Sequence, residues 1–127
     1  MGTAGPGNFD DDTALDYFDS FTSGILEEIE HAMINPHVLE PDEAEGVVVP
    51  CQIDILCALY EKIRPFQLPR PDVVARWKEI YLSVWDGYID GVQPKPGHKA
   101  ERRRILEETF TRMEELSRRH KPGWYRD

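Results

Sequence analysis

Asp10-Asp11-Asp12-Thr13 is the first stretch of the chain whose residue types could do chemistry. An aspartyl nucleophile of the phosphatase kind needs Asp-x-Asp at the end of an apolar strand, whereas here the preceding residues are Gly, Pro and Asn. A calcium loop of the EF-hand type needs alternating oxygen ligands, a glycine and a closing Glu in one loop, and the array runs out at Ala14. The run reads instead as helix capping, with side-chain oxygens for the first amides and negative charge at the positive helix end. Asp12 and Asp16 stand four apart on one helical face, where like charges repel unless a donor or cation sits between them. A solvated face or an ion pair with a later arginine accounts for them. The functional alternative is a polar contact site.

The other candidates point away from catalysis. His31, His37, His98 and His120 lack partners at metal-ligand spacing, so no zinc site is expected. Cys57 and Arg64 are one residue too far apart for a Cys-x5-Arg phosphate loop, and no strand precedes a glycine-rich phosphate loop. Cys51 and Cys57 turn well away from each other on one helix and read as buried free thiols, suited to a reducing compartment. Arg102-Arg103-Arg104, with Arg118, Arg119 and Lys121, could touch phosphate. The net charge of −9 is opposite in sign to that of nucleic-acid domains, so no nucleic-acid partner is expected. No catalytic residue, cofactor or metal is assigned.

Charge is laid out unevenly along the chain. Residues 1–61 hold 14 Asp and Glu and no Lys or Arg, while residues 62–127 hold 15 Lys and Arg against 10 Asp and Glu. One reading folds the acidic front against the basic back so that they neutralise each other. The other is an acidic surface that steers a basic protein partner. With 40% apolar and 31% charged residues, the 127-residue chain suits one globular domain able to bury a core. It has neither a membrane-length apolar run nor a signal-peptide pattern, and so reads as cytoplasmic with no membrane partner.

The elements that must position these residues are helical. Residues 1–9 form an irregular lead-in, and Asp10 to Asp12 open a helix to about Phe21. A second helix from near Ser23 turns Ile25, Leu26, Ile29, Ala32 and Met33 inward and stops at Asn35-Pro36. Pro50 to Ile63 is the densest apolar run. Ile55, Leu56, Leu59, Tyr60 and Ile63 recur at helical spacing, with Cys51, Ile53 and Cys57 on neighbouring faces, which predicts a helix buried nearly all round. Pro50 fits its first turn, and Val47 to Val49 could be strand, helix or loop. The prolines of RPFQLPRPD make a stiff connector. A long amphipathic helix then runs from Pro71 or Asp72 to Gly91 on Val74, Trp77, Tyr81, Val84, Trp85 and Tyr88. A last one, from about Lys99 to His120, has Leu106, Phe110, Met113 and Leu116 inward and pairs such as Glu114–Arg118 outside. The fold expected is all-α, a single domain over residues 1–127. It is a bundle of about five helices around the buried central one, with 122–127 as a tail.

The opening resembles the bacterial domain of unknown function 4259 family, which begins Met-Gly-x-Trp-Gly-x-Gly-x-Phe-x-Asn-Asp-x-Ala-x-Asp. Met1, Gly2, Gly5, Gly7, Phe9, Asp12, Ala14 and Asp16 match; Ala4 replaces the tryptophan and Asp11 the asparagine. WKEIYLSVWDGYIDG and ERRRILEETFTRMEEL are also similar to one branch of that family. The resemblance implies a small helical bacterial protein and carries over no catalytic residue. If the missing ring normally covers the core, Trp77, Trp85 or Trp124 is expected to fill its place. The leading expectation is a protein that binds another protein, in the manner of an immunity or antitoxin partner. The alternative is a small hydrolase or ligand-binding protein whose site lies where the Asp12/Asp16 face meets the Trp77–Trp85 helix, with Trp85 and Asp86 as its other candidate binding residues. A self-associating subunit is a third.

Overall fold

A computed structural model describes residues 5–127, which form four α-helices and two short 3-10 helices, with no β-strand among the described residues. Met1, Gly2 and Ala4 of the opening pattern lie outside them. The all-α expectation holds, and among the described residues no helix is long and apolar enough to cross a membrane. The count of about five helices is corrected to four, because the two expected between Asp10 and Asn35 are one. This α1, Asp12–Ile34, is capped by Asp11, whose carboxylate accepts from the Thr13 amide at 2.8 Å. Asp10 folds the lead-in back by accepting from the Gly7 amide at 2.7 Å. Ser23-Gly24 does not interrupt α1, since Phe18, Thr22, Leu26, Ile29 and Met33 make one continuous buried stripe across it.

A 3-10 helix, Pro36–Leu39, turns the chain into α2, Ala44–Lys62. Pro50 lies inside α2 rather than opening it. Proline has no N–H, so the carbonyl of Gly46, four residues back, loses its helical donor. The Tyr81 hydroxyl donates to that same carbonyl. A donor from another helix thus replaces the missing one. Val47 to Val49 are helical.

The connector after α2 buries Phe66, Leu68 and Pro69. It leads to α3, Pro71–Tyr88, a 3-10 helix Ile89–Val92, and α4, Pro96–Arg118. Lys78 bonds Thr111 at 3.0 Å, Arg103 bonds Asp86 and Lys99 bonds Asp90. Numbers that fall along α3 rise along α4, so the two helices pack antiparallel.

The expectation of a central helix wrapped on all sides is also corrected. Gly46, Val49, Pro50, Gln52, Ile53, Leu56 and Cys57 of α2 are buried, yet Val47, Val48, Cys51, Ile55 and Ile63 are exposed. α2 is a wall of the bundle, and it shares the core with Leu26 and Ile29 of α1, Val74 and Tyr81 of α3, and Leu106, Phe110 and Met113 of α4. Trp77 and Trp85 are buried in that core.

Candidate functional site

The outer face of α2 shows more apolar surface to water than a folded helix normally does, as do Tyr17 and Phe21 of α1. Val47 is 55% exposed, Val48 45% and Ile55 47%, and Cys51 is exposed between them. Positions 47, 51 and 55 are spaced i, i+4, i+8, so they form a ridge about two turns long beside Val48. Large apolar side chains scattered singly are ordinary on a surface; a contiguous strip marks a contact surface.

Val48 also lines a groove of about 500 Å³ formed by α1, the first 3-10 helix and α2. Ala32, Val38 and Val49 supply its apolar wall, and Glu28, His31, His37, Glu45 and Gln52 its polar groups. Gln52 is buried and donates to the Glu28 carboxylate at 2.9 Å, which holds that carboxylate at the groove edge. No lysine or arginine lines the groove among the described residues. Glu43 and Asp54 are exposed on α2 and the residue before it. The fixed charge along the groove is therefore negative, while on the α4 side Arg112 interacts with Asp54.

Few ion pairs of the basic half reach this charge. Arg103 holds Asp86 with two bonds of 2.9 Å and Glu107 with one of 3.1 Å; Arg104 holds Glu108 and Glu101; Lys99 holds Asp90. Arg118 holds Glu114. All of these partners belong to the back half. Among the described residues, the pairs that cross between the halves are Arg112 with Glu61, and Arg126 with Glu30 and, more distantly, Glu27.

The titratable groups of the interior are locked into structure. Burial pushes the Cys57 thiol up to about 12, against a lowering by Arg112, so at neutral pH it is no thiolate nucleophile. Burial likewise raises the Tyr81 phenol to about 12. His120 is buried, with one ring nitrogen 3.1 Å from the Trp124 carbonyl and the other 2.5 Å from the Tyr60 hydroxyl. A carbonyl only accepts, so Nε2 carries the proton and Nδ1 accepts from Tyr60. The ring also stacks on Trp124 at 5.1 Å. Both ring nitrogens are thus bonded within the fold.

Asp12 and Asp16 are exposed on the first turns of α1 and line none of the five cavities described. Trp85 is a core residue, and Asp86 sits on the surface of α3 in the grip of Arg103. The structure brings Asp86 and Arg103 into one shallow cavity with Lys78, but not Asp12 or Asp16. Sequence reasoning missed the α2 strip because apolar periodicity identifies which residues are greasy, not which face the neighbours leave bare. The signal available was an excess of apolar positions around α2 beyond what three companion helices can cover. Comparison of the chain with family models, curated proteins and solved structures finds no match.

Proposed function

We propose that the protein acts by binding another protein through the outer face of α2 and the groove beside it. The observation that carries this reading is the apolar strip of Val47, Val48, Cys51 and Ile55 on a helix whose opposite face is already core. Covering Val48 and Ile55 would remove from water two side chains worth about 1 kcal/mol each when half exposed. The surrounding carboxylates favour a basic partner and repel acidic ones. Neutralisation of a basic protein, as an immunity or antitoxin partner would do it, fits a small acidic chain. A cytoplasmic setting fits two free thiols, one exposed. The likeness of the opening to the domain of unknown function 4259 family belongs to the same proposal and supports a bacterial setting.

The test is capture of partners from the native host with the wild-type chain and with a Val48→Ser/Ile55→Ser double variant. Both positions are exposed, so the variant is expected to stay folded, within about 0.5 kcal/mol per site, by denaturant melts. A partner retained by the wild type and lost by the folded variant supports the reading. Equal capture by both, or no specific capture by either, overturns it.

A further inference from the structure

Resting on that reading, we infer that the occupant of the α2 face is a cationic amphipathic helix. Its apolar stripe lies along Val47, Val48, Cys51 and Ile55, and its lysines or arginines face Glu28 and Glu45.

Three observations carry this further than an apolar patch alone. The strip is a helical ridge with a groove alongside, the shape into which the side-chain ridge of a second helix packs. A strand cannot add here, because the host element is a helix whose backbone groups bond within itself and offer no sheet edge. The charge of the groove is one-sided. Glu28 and Glu45 line it and no Lys or Arg does, whereas at the other end of the strip Asp54 already interacts with Arg112 of α4. His31 and His37 are the other titratable groups of the groove. A neutral or acidic partner would desolvate these carboxylates without compensation or add repulsion, whereas a cationic one converts them into ion pairs. A second copy of the chain laid on this face would set its own Glu28 and Glu45 against them.

The probe is a pair of synthetic peptides of about 16 residues, long enough to hold a helix on contact. Both carry leucines at helical spacing; one has lysines on its other face and the second has glutamates there. Binding is read by fluorescence anisotropy and by protection of Cys51 from alkylation. The lysine peptide is expected to bind about tenfold tighter than the glutamate peptide at low salt, with the gap closing as salt rises. Val48→Ser/Ile55→Ser should weaken both peptides, Glu28→Gln/Glu45→Gln the lysine peptide alone, and the bound lysine peptide should shield Cys51.

Equal binding of the two peptides with Cys51 shielded overturns the cationic assignment and leaves the binding face standing. Binding of the lysine peptide that ignores Val48→Ser/Ile55→Ser and leaves Cys51 reactive is diffuse charge attraction and overturns the inference. Failure of both peptides overturns it too, and the host capture experiment then decides separately whether the proposed function survives. Self-association abolished by Val48→Ser would make the occupant a second copy and also overturn the inference.

Discussion

Pro50, Gly46 and Tyr81 show how one residue's chemistry is settled by another far away. Pro50 deprives the Gly46 carbonyl of its donor inside α2, and the Tyr81 hydroxyl on α3 supplies one. Tyr81→Phe is expected to cost about 1–3 kcal/mol, the cost of leaving a buried acceptor unmet. In a Pro50→Ala background the alanine amide can serve Gly46, so the same substitution should cost less. A double-mutant cycle from urea melts reads the coupling, and strict additivity would refute this role. Tyr81 was legible as a buried position on the α3 stripe. Its bond was not, because it depends on a proline whose place in α2 was misread. The thiols separate in the same way. Alkylation of the folded protein should modify Cys51 and spare Cys57, which mass spectrometry resolves. Cys57 and Tyr81 hold their protons more tightly folded than unfolded, from ordinary values of 9.0 and 10.0 up to about 12. The unfolded chain therefore deprotonates these groups first as pH rises, so their contribution to stability is constant below about pH 9 and falls toward pH 12. Thermal melts across that window should show the decline, and Tyr81→Phe should make it shallower.

At the level of elements, α3 and α4 were legible almost to their ends because their apolar residues keep strict helical spacing and their prolines sit at the start. α1 and α2 were less so, and both misreadings concern glycine or proline inside a helix. The break expected between Phe21 and Ser23 is absent, and Gly24 beside it lies within α1 with nothing within 4 Å of where a Cβ would stand. Its cost to the helix, about 1 kcal/mol, is offset by the stripe that packs on either side. Gly46 is the opposite case. A Cβ there would stand 2.2 Å from the Glu40 carbonyl oxygen and 2.7 Å from that of Leu39, so the 3-10 helix can approach α2 only over a glycine. Both contacts are with backbone, which cannot swing aside as a side chain would. Gly46→Ala is expected to cost at least about 2 kcal/mol, whereas Gly24→Ala should be neutral or stabilise by about 0.5–1 kcal/mol. Denaturant midpoints of the two variants check the contrast. Similar shifts would show that the close approach at Gly46 is not what fixes the turn.

Across the whole molecule, the chain is closed by its last residues rather than by opposite charges spread over the two halves. Among the described residues only Arg112 and Arg126 reach carboxylates of the front half, while Lys99, Arg103, Arg104 and Arg118 pair within the back half, so most of the acidic surface of the front half has no ion pair with the back. Of these two, Arg126 lies in the tail. Its guanidinium takes Glu30 at 3.1 and 3.2 Å and Ser23 at 2.8 Å, and its amide donates to the Leu68 carbonyl at 2.8 Å. Trp124 stacks on His120, and the Tyr125 hydroxyl donates to the Ser117 carbonyl at 2.6 Å, so the tail ties α1, the connector and the end of α4 together. No local pattern announces a bond between residues 96 apart, which is why residues 122–127 were legible only as a tail. A fork-shaped pair whose arginine is 18% exposed loses less to solvent screening than an open surface pair does. Arg126→Ala should therefore destabilise the protein by about 1–3 kcal/mol. Arg104→Ala, which removes an open pair along α4, should stay within about 0.5 kcal/mol. Hydrogen exchange should add a signature that global melts lack. Arg126→Ala is expected to speed exchange in the α1 segment around Ser23 to Glu30 and leave the α3–α4 pair protected. If both substitutions lower stability equally, or if exchange rises evenly through all four helices, the tail is not the clasp that holds α1 to the rest of the bundle.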